Sequence, residues 1–263
     1  MISYGPTLIA HDEFKHLVNK ILIKRNFKNV CEIGGGANPS LTIDFIKRNK
    51  INYTILDISQ EELDKAPAEF MKIHASIENV DCTINANRFD LVFSKMVAEH
   101  IKDDNAFHRN IFSMLKDGGV AIHFIPTLWA LPYIINLLIP ERIAYKILLW
   151  IDPNRKANGK FGKFPAYYRS CQGPTNRQQQ KLQSFGYKII EYKGFFGHAY
   201  YYQKWKVICS IHKRFANFLV RHPISYLTSY AYVVLQKESQ NKENVSISKA
   251  TFDNNQPLTS MQS

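Results

Sequence analysis

The sequence predicts an α/β fold: an open, mostly parallel sheet of seven strands with helices on both faces, carrying an added segment after the fifth strand. Three observations predict it. Short apolar runs alternate with helix-like stretches from Val30 onward. The first run, Val30–Ile33, passes directly into Gly34-Gly35-Gly36. The second, Tyr53–Leu56, ends on a carboxylate, Asp57.

The elements follow in order. After the glycines, Pro39–Arg48 reads as a helix, with Pro39 near its first turn, where a missing N–H costs least. A short acidic helix around Glu61–Asp64 follows the second strand, and Phe70–His74 is the third strand. Phe89–Phe93 is the fourth. Asn105–Leu115 places Phe107, Ile111, Phe112, Met114 and Leu115 at helical spacing. The turn Lys116-Asp117-Gly118-Gly119 introduces the fifth strand, Val120–Phe124.

Beyond Pro126 the rhythm changes. Leu128–Ile139 and Ile143–Trp150 are strongly apolar, and Asp152–Arg169 is basic and contains glycine. Regular units resume with a helix at Gln178–Phe185, a strand at Tyr187–Glu191, a helix at roughly Tyr202–Val220 and a strand at Tyr230–Leu235. Residues 1–125 and 176–237 thus read as two parts of one core. Residues 126–175 form an insertion, and 238–263 an Asn/Gln/Ser/Lys-rich tail predicted to be disordered.

With 263 residues, 45% hydrophobic and 21% charged, the chain has room for one sizeable globular domain plus that insertion. Met1–Ala10 has no basic n-region, so no secretory leader is expected. Cys31, Cys82, Cys171 and Cys209 form no CxxC pair, which argues against structural zinc and a disulfide framework and favours a reducing cytoplasm. Charge is unevenly spread. Residues 1–125 hold 15 Lys+Arg against 16 Asp+Glu, whereas 126–237 hold 17 against 3. Two readings fit: an acidic partner such as a membrane surface, nucleic acid or anionic substrate, or a plainly solvated basic face.

In Val30-Cys31-Glu32-Ile33-Gly34-Gly35-Gly36 a strand turns sharply through glycine, which leaves room for a ligand to approach the backbone. A plain dinucleotide fingerprint fails here, because the third glycine would fall on Pro39. Glu32, two residues before the first glycine, favours a cationic ligand over a pyrophosphate. Asp57 stands at about the ~20-residue separation expected of a carboxylate that accepts both hydroxyls of a ribose.

With these features in register, the chain resembles the class I S-adenosylmethionine (SAM)-dependent methyltransferases, specifically the small-molecule, type 11-like kind, whose sheet is Rossmann-like and whose last strand is antiparallel. The resemblance rests on Val30–Gly36, on Asp57, on Phe89–Ile101 with its Glu99-His100-Ile101 helix start, and on Leu115–Gly119. It implies that SAM is the cofactor. Glu32, Gly34, Gly35 and Gly36 would surround its methionine part, with Asp57 on the ribose and Ile58 beside the adenine. Ser76 and Ile77 would stand at the adenine contact, Ser76 replacing the usual Asp. Lys95 and Met96 would lie beneath the methionine moiety.

Methyl transfer from a sulfonium is an in-line displacement, so positioning supplies much of the catalysis, and a base is needed only where the nucleophile loses a proton. His198, in a glycine-punctuated aromatic loop, and His123, near the carboxyl end of the fifth strand, are the candidate bases. Glu99 and His100 match part of the metal-associated Glu-x-x-Glu-His cluster of ubiquinone-pathway O-methyltransferases, but Met96 replaces the first carboxylate. The sequence lacks the Asn/Asp-Pro-Pro-aromatic turn of base-amino methylation and the Pro-Cys of pyrimidine methylation.

The expected activity is therefore methyl transfer to a hydroxyl (or amine) of a small-molecule, lipid-linked or saccharide acceptor. Alternatives are a SAM-binding or membrane-associated module without catalysis, and an RNA-directed enzyme. The insertion, with Arg155, Lys156, Lys160, Lys163 and Arg169 among aromatics, reads either as a contact with an anionic membrane surface through 128–169 or as a cap over the core. The expected location is cytoplasmic, peripheral to the inner face of the membrane.

Overall fold

The computed structural model describes residues 1–79, 86–128, 165–198 and 205–238, together with Ile143 and Lys146. The apolar helices and basic segment read within 129–164, and the tail beyond residue 238, lie outside the described residues.

Among the described residues the sheet has eight strands, one more than the sequence predicted: β1 (Ile2–Pro6), β2 (Asn29–Ile33), β3 (Asn52–Asp57), β4 (Met71–His74), β5 (Phe89–Lys95), β6 (Leu115–Pro126), β7 (Tyr187–Phe196) and β8 (Tyr230–Lys237). Their order is β1-β7-β8-β6-β5-β2-β3-β4. β8 pairs antiparallel with β6 and β7, and all other pairings are parallel. The extra strand is β1, which adds to the edge beside β7. Gly5 and Pro6 conceal it from a pattern reading, and an edge position tolerates Pro.

Six α-helices are described: α1 (Ala10–Arg25), α2 (Ile43–Asn49), α3 (Gln60–Lys65), α4 (Asp104–Met114), α5 (Asn176–Ser184) and α6 (Lys206–Arg221). Sequence reading missed α1. Its buried residues Phe14, Val18 and Leu22 recur every four positions and form one face against the sheet. α2 begins at Ile43 rather than Pro39, because Thr42 caps it, accepting from the Phe45 amide at 3.3 Å. Asn38–Leu41 are left as a loop. α4 is capped by Asp103, which accepts from the Asn105 and Ala106 amides.

Strand alternation decides which helix covers which face. Phe124 and His123 are neighbours on β6 and so point to opposite sides. The Phe14 ring on α1 lies 5.2 Å from Phe124, whereas Phe107 on α4 lies 5.2 Å from His123. α1 and α4 therefore cover opposite faces. β2, β5 and β6, buried on both sides, read as near-continuous apolar runs for that reason.

Candidate active site

The sheet order reverses between β2, which leads to β3 and β4, and β5, which leads to β6. Ligands of open α/β sheets bind at such a switch point, beyond the carboxyl ends of the strands. A cleft of about 620 Å3 opens there, walled by the Gly34–Leu41 loop, by Asp57, Ser59 and Glu62, by Lys95 and Met96, and by α1.

Glu32 is the buried anchor of this wall. Its Oε1 accepts from Ser40 Oγ at 2.5 Å, and its Oε2 accepts from the Ser40 amide at 2.9 Å and from the Tyr53 hydroxyl. Burial pushes its carboxyl upward, and the Ser40 and Tyr53 bonds pull against that shift. The carboxylate thus folds the loop Asn38–Leu41 back over the strand end as well as facing the cleft.

The glycines have a steric reason that sequence alone did not show. Gly34 has φ +72°, and a Cβ there would stand 2.4 Å from Val97 Cγ2. A Cβ on Gly36, at φ +36°, would come within 3.0 Å of Asp57 Oδ2 and of Glu62 Cβ. The turn is wedged between the ends of β5 and β3, so space is short for the protein itself as well as for a ligand. The Gly34 amide donates to the Leu56 carbonyl at 2.7 Å and locks the turn to β3.

Asp57 ends β3, half-buried. Its Oδ1 accepts from the Ser59 amide at 2.9 Å. Burial, with the Glu62 carboxylate nearby, raises its pKa, while the Ser59 amide bond opposes the rise. Lys95, exposed at the end of β5, and Lys15 of α1 bring positive charge to the same cleft, whose other charged walls are Glu32, Asp57, Glu62 and Asp12. Met96 holds φ +57° there, its amide donating to the Phe124 carbonyl at 2.8 Å. A cleft of mixed charge suits a ligand that carries both a carboxylate and cationic groups.

Of the residues expected at the cofactor, Glu32, Gly34, Gly35, Gly36, Asp57, Lys95 and Met96 all line the cleft. Ile58, Ser76 and Ile77 are not among its lining residues. Ile58 is exposed, Ser76 Oγ accepts from the Glu78 amide at 3.3 Å, and Ile77 is buried with its carbonyl bonded to Asn110.

The candidate bases divide. His123 is not brought to the cleft: alternation along β6 turns it under α4, fully buried, bonded through Nδ1 to Ser94 Oγ at 2.8 Å. Burial depresses its pKa to about 3. His198 is not among the lining residues either and stands behind Tyr230. Its Nδ1 meets the Tyr230 hydroxyl at 3.1 Å, and burial, with His212 and His11 nearby, lowers its pKa to about 4. The residue that sequence reading missed is His11. It lines the cleft from the first turn of α1, its ring held edge-on by Phe124 at 4.8 Å and by Tyr230 at 5.6 Å. Partial burial and the Lys95 ammonium push its imidazole below the ordinary range. The missed helix was the signal: Phe14, Leu17, Val18, Ile21 and Leu22 are spaced for one face, which places His11 at its amino end.

Glu99 and His100 stand 3.9 Å apart, with His100 Nδ1 bonded to the Pro165 carbonyl at 2.8 Å. Glu99 is buried, its carboxyl pushed up to about 8 by burial, and its backbone carbonyl accepts from the amides of Tyr167 and Tyr168. The pair fastens the stretch after residue 165 to the end of β5. Among the described residues no three His, Cys, Asp or Glu side chains converge on one point.

Comparison with known proteins agrees with this geometry. A family model described as "Methyltransferase domain" matches residues 31–123. A ubiquinone biosynthesis O-methyltransferase of Rickettsia bellii is 23% identical over 178 residues, covering 65% of this chain and 72% of that protein. Among solved structures, a SAM-dependent methyltransferase from Clostridium acetobutylicum superposes with a TM-score of 0.53 at 14% identity, covering 87% of this chain and 92% of the other. A sarcosine dimethylglycine methyltransferase from Galdieria sulphuraria, so named provisionally, superposes with a TM-score of 0.51 at 12% identity, covering 87% and 86%.

Proposed function

We propose that the chain is a class I SAM-dependent methyltransferase, as its methyltransferase-domain match and its fold support, and that it methylates a hydroxyl of a small-molecule acceptor presented to His11. SAM supplies an electrophilic methyl on a sulfonium. The chain's own residues bind, orient and deprotonate.

In this reading Asp57 accepts from the ribose hydroxyls with the carboxylate oxygen not taken by Ser59. The Gly34–Gly36 turn, backed by Glu32, lays bare backbone beside the methionine portion, and Lys95 stands ready for its carboxylate. The one observation that carries the assignment is the meeting of this turn and Asp57 at the strand switch point.

The acceptor side rests on His11. A hydroxyl must lose its proton as the oxygen attacks, and a neutral imidazole held at the cleft wall suits that task. The rings of Phe124 and Tyr230 fix the orientation of His11, and Tyr230 is fixed in turn by His198. His198 therefore acts as a positioning residue one step from the cleft. The related Rickettsia protein, named for an O-methyltransferase of ubiquinone biosynthesis, supports a hydroxyl over an amine.

Calorimetry with SAM tests the premise, and label transfer from methyl-labelled SAM into fractionated small molecules tests the acceptor class. Asp57→Ala should weaken SAM binding about 10- to 100-fold, the value of hydrogen bonds to a charged group. Unchanged affinity in that variant would remove Asp57 from the site. Tight SAM binding with no labelled product in any fraction would leave a binding module in place of an enzyme.

A further inference from the structure

Helix α6 carries more apolar surface than the fold uses. Its inner side is small. Ala216 and Leu219 pack with Phe196, and Val220 and Tyr4 border that cluster. At 100° per residue these positions, with Cys209 and His212, occupy one arc of the helix. A second apolar arc adjoins it, made of Val207, Ile208, Ile211, Phe215 and Phe218 at spacings of three and four, and it faces outward. Val207 is 73% exposed, Ile211 63%, Phe215 51% and Phe218 53%. A stripe of this kind on a surface helix marks an interaction site.

The remaining arc is basic. Lys206, Lys213, Arg214 and Arg221 lie along it, α6 has no acidic residue, and the sequence holds no Asp or Glu between Glu191 and Glu238. Among the described residues no carboxylate pairs with these four cations. An apolar stripe flanked by cations alone is complementary to a surface that is oily within and negative at its rim. No described helix is long and apolar enough to cross a membrane, so such a contact would lie in the surface plane.

We propose that the outward stripe of α6, with its basic flank, docks this protein onto an anionic lipid bilayer. The orientation has a consequence for the cleft. His212 on α6 lies close enough to His198 to oppose its protonation, and His198 bonds Tyr230, which holds His11 at the cleft wall. On the role of His11 proposed above, the docked helix lies on the His198–Tyr230 side of that residue, and a lipid-soluble acceptor would enter from the bilayer.

Co-sedimentation of the full chain with phosphatidylglycerol-containing vesicles and with pure phosphatidylcholine vesicles tests this. The wild type should bind the anionic vesicles more tightly and release as salt rises. Ile211→Glu with Phe215→Glu, both at outward positions, should weaken binding by about tenfold or more, since two apolar side chains are lost from the contact. Lys213→Glu with Arg214→Glu should remove the preference for the anionic lipid and leave melting temperature unchanged. Absence of wild-type binding, or equal binding by the Ile211/Phe215 variant, overturns the proposal. So does a marked drop in that variant's melting temperature, which would mean the stripe is covered by the rest of the chain, or conversion of a dimer to monomer, which would mean a second copy covers it.

Discussion

Replacing His11 by alanine separates its role from that of the cofactor residues. The imidazole lines the cleft but stands on α1, away from the Gly34–Gly36 turn and Asp57. His11→Ala should therefore lower kcat by about 10²- to 10⁴-fold, the usual value of a general base, while SAM affinity measured by calorimetry stays near wild type. The base must be neutral, and partial burial with Lys95 lowers its pKa. Activity should accordingly rise with pH through a point below the ordinary histidine value and then level off. A pH–rate profile that keeps this limb in the alanine variant would assign the base elsewhere. His123 illustrates how a residue of suitable type misleads. Its place near the end of β6 was legible, but its side of the strand was set by the neighbour Phe124 packing under α1.

At the scale of elements, α1 joins the fold to the site. Phe14, 1% exposed, packs on Phe93 and Phe124, the rings beneath the cleft floor. Phe14→Ala should cost about 3–5 kcal/mol of stability, as measured by denaturant unfolding, because the void cannot collapse between a helix and a sheet. It should also loosen His11 and Lys15, raising the KM for an acceptor more than the Kd for SAM. A loss confined to stability would mean α1 is only a cover. The strands β2, β3, β5 and β6 were legible in the sequence because burial on both faces leaves near-continuous apolar runs, and the glycine turn because few residue types can occupy φ +72° against Val97. β1 and α1 were less so. An edge strand of five residues that includes Gly5 and Pro6 has no strong period, and α1 carries many polar residues around its narrow apolar face. The start of α2 was displaced for a different reason: the Ser40–Glu32 bonds hold the preceding residues out of the helix, a long-range contact that local spacing does not encode.

Across the whole molecule, buried ionisable groups on the α4 side of the sheet act on stability in opposite directions. His108 and His123 are buried neutral, the first held well below the usual histidine value by burial and by His123, the second at about 3. Unfolded, both would take up protons near pH 6.5, so their contribution is present above about pH 6.5 and is lost as pH falls. Glu99 runs the other way. Its folded pKa of about 8 exceeds the unfolded value, so the folded state holds an extra proton, and stability is lost as pH rises from the ordinary carboxyl range through about 8. Between these limits two histidines outweigh one carboxyl, and above about pH 6.5 the carboxyl acts alone. From these three groups, thermal melts should show a maximum near about pH 6.5, with a decline on both sides. Glu99→Gln keeps the shape and removes the charge, so it should flatten the alkaline decline and leave the acid limb as it was. An alkaline limb identical to wild type in that variant would mean Glu99 is ionised in the fold. The Glu99 backbone carbonyl that accepts from Tyr167 and Tyr168 would then belong to a residue whose side chain is a buried charge rather than a protonated carboxyl.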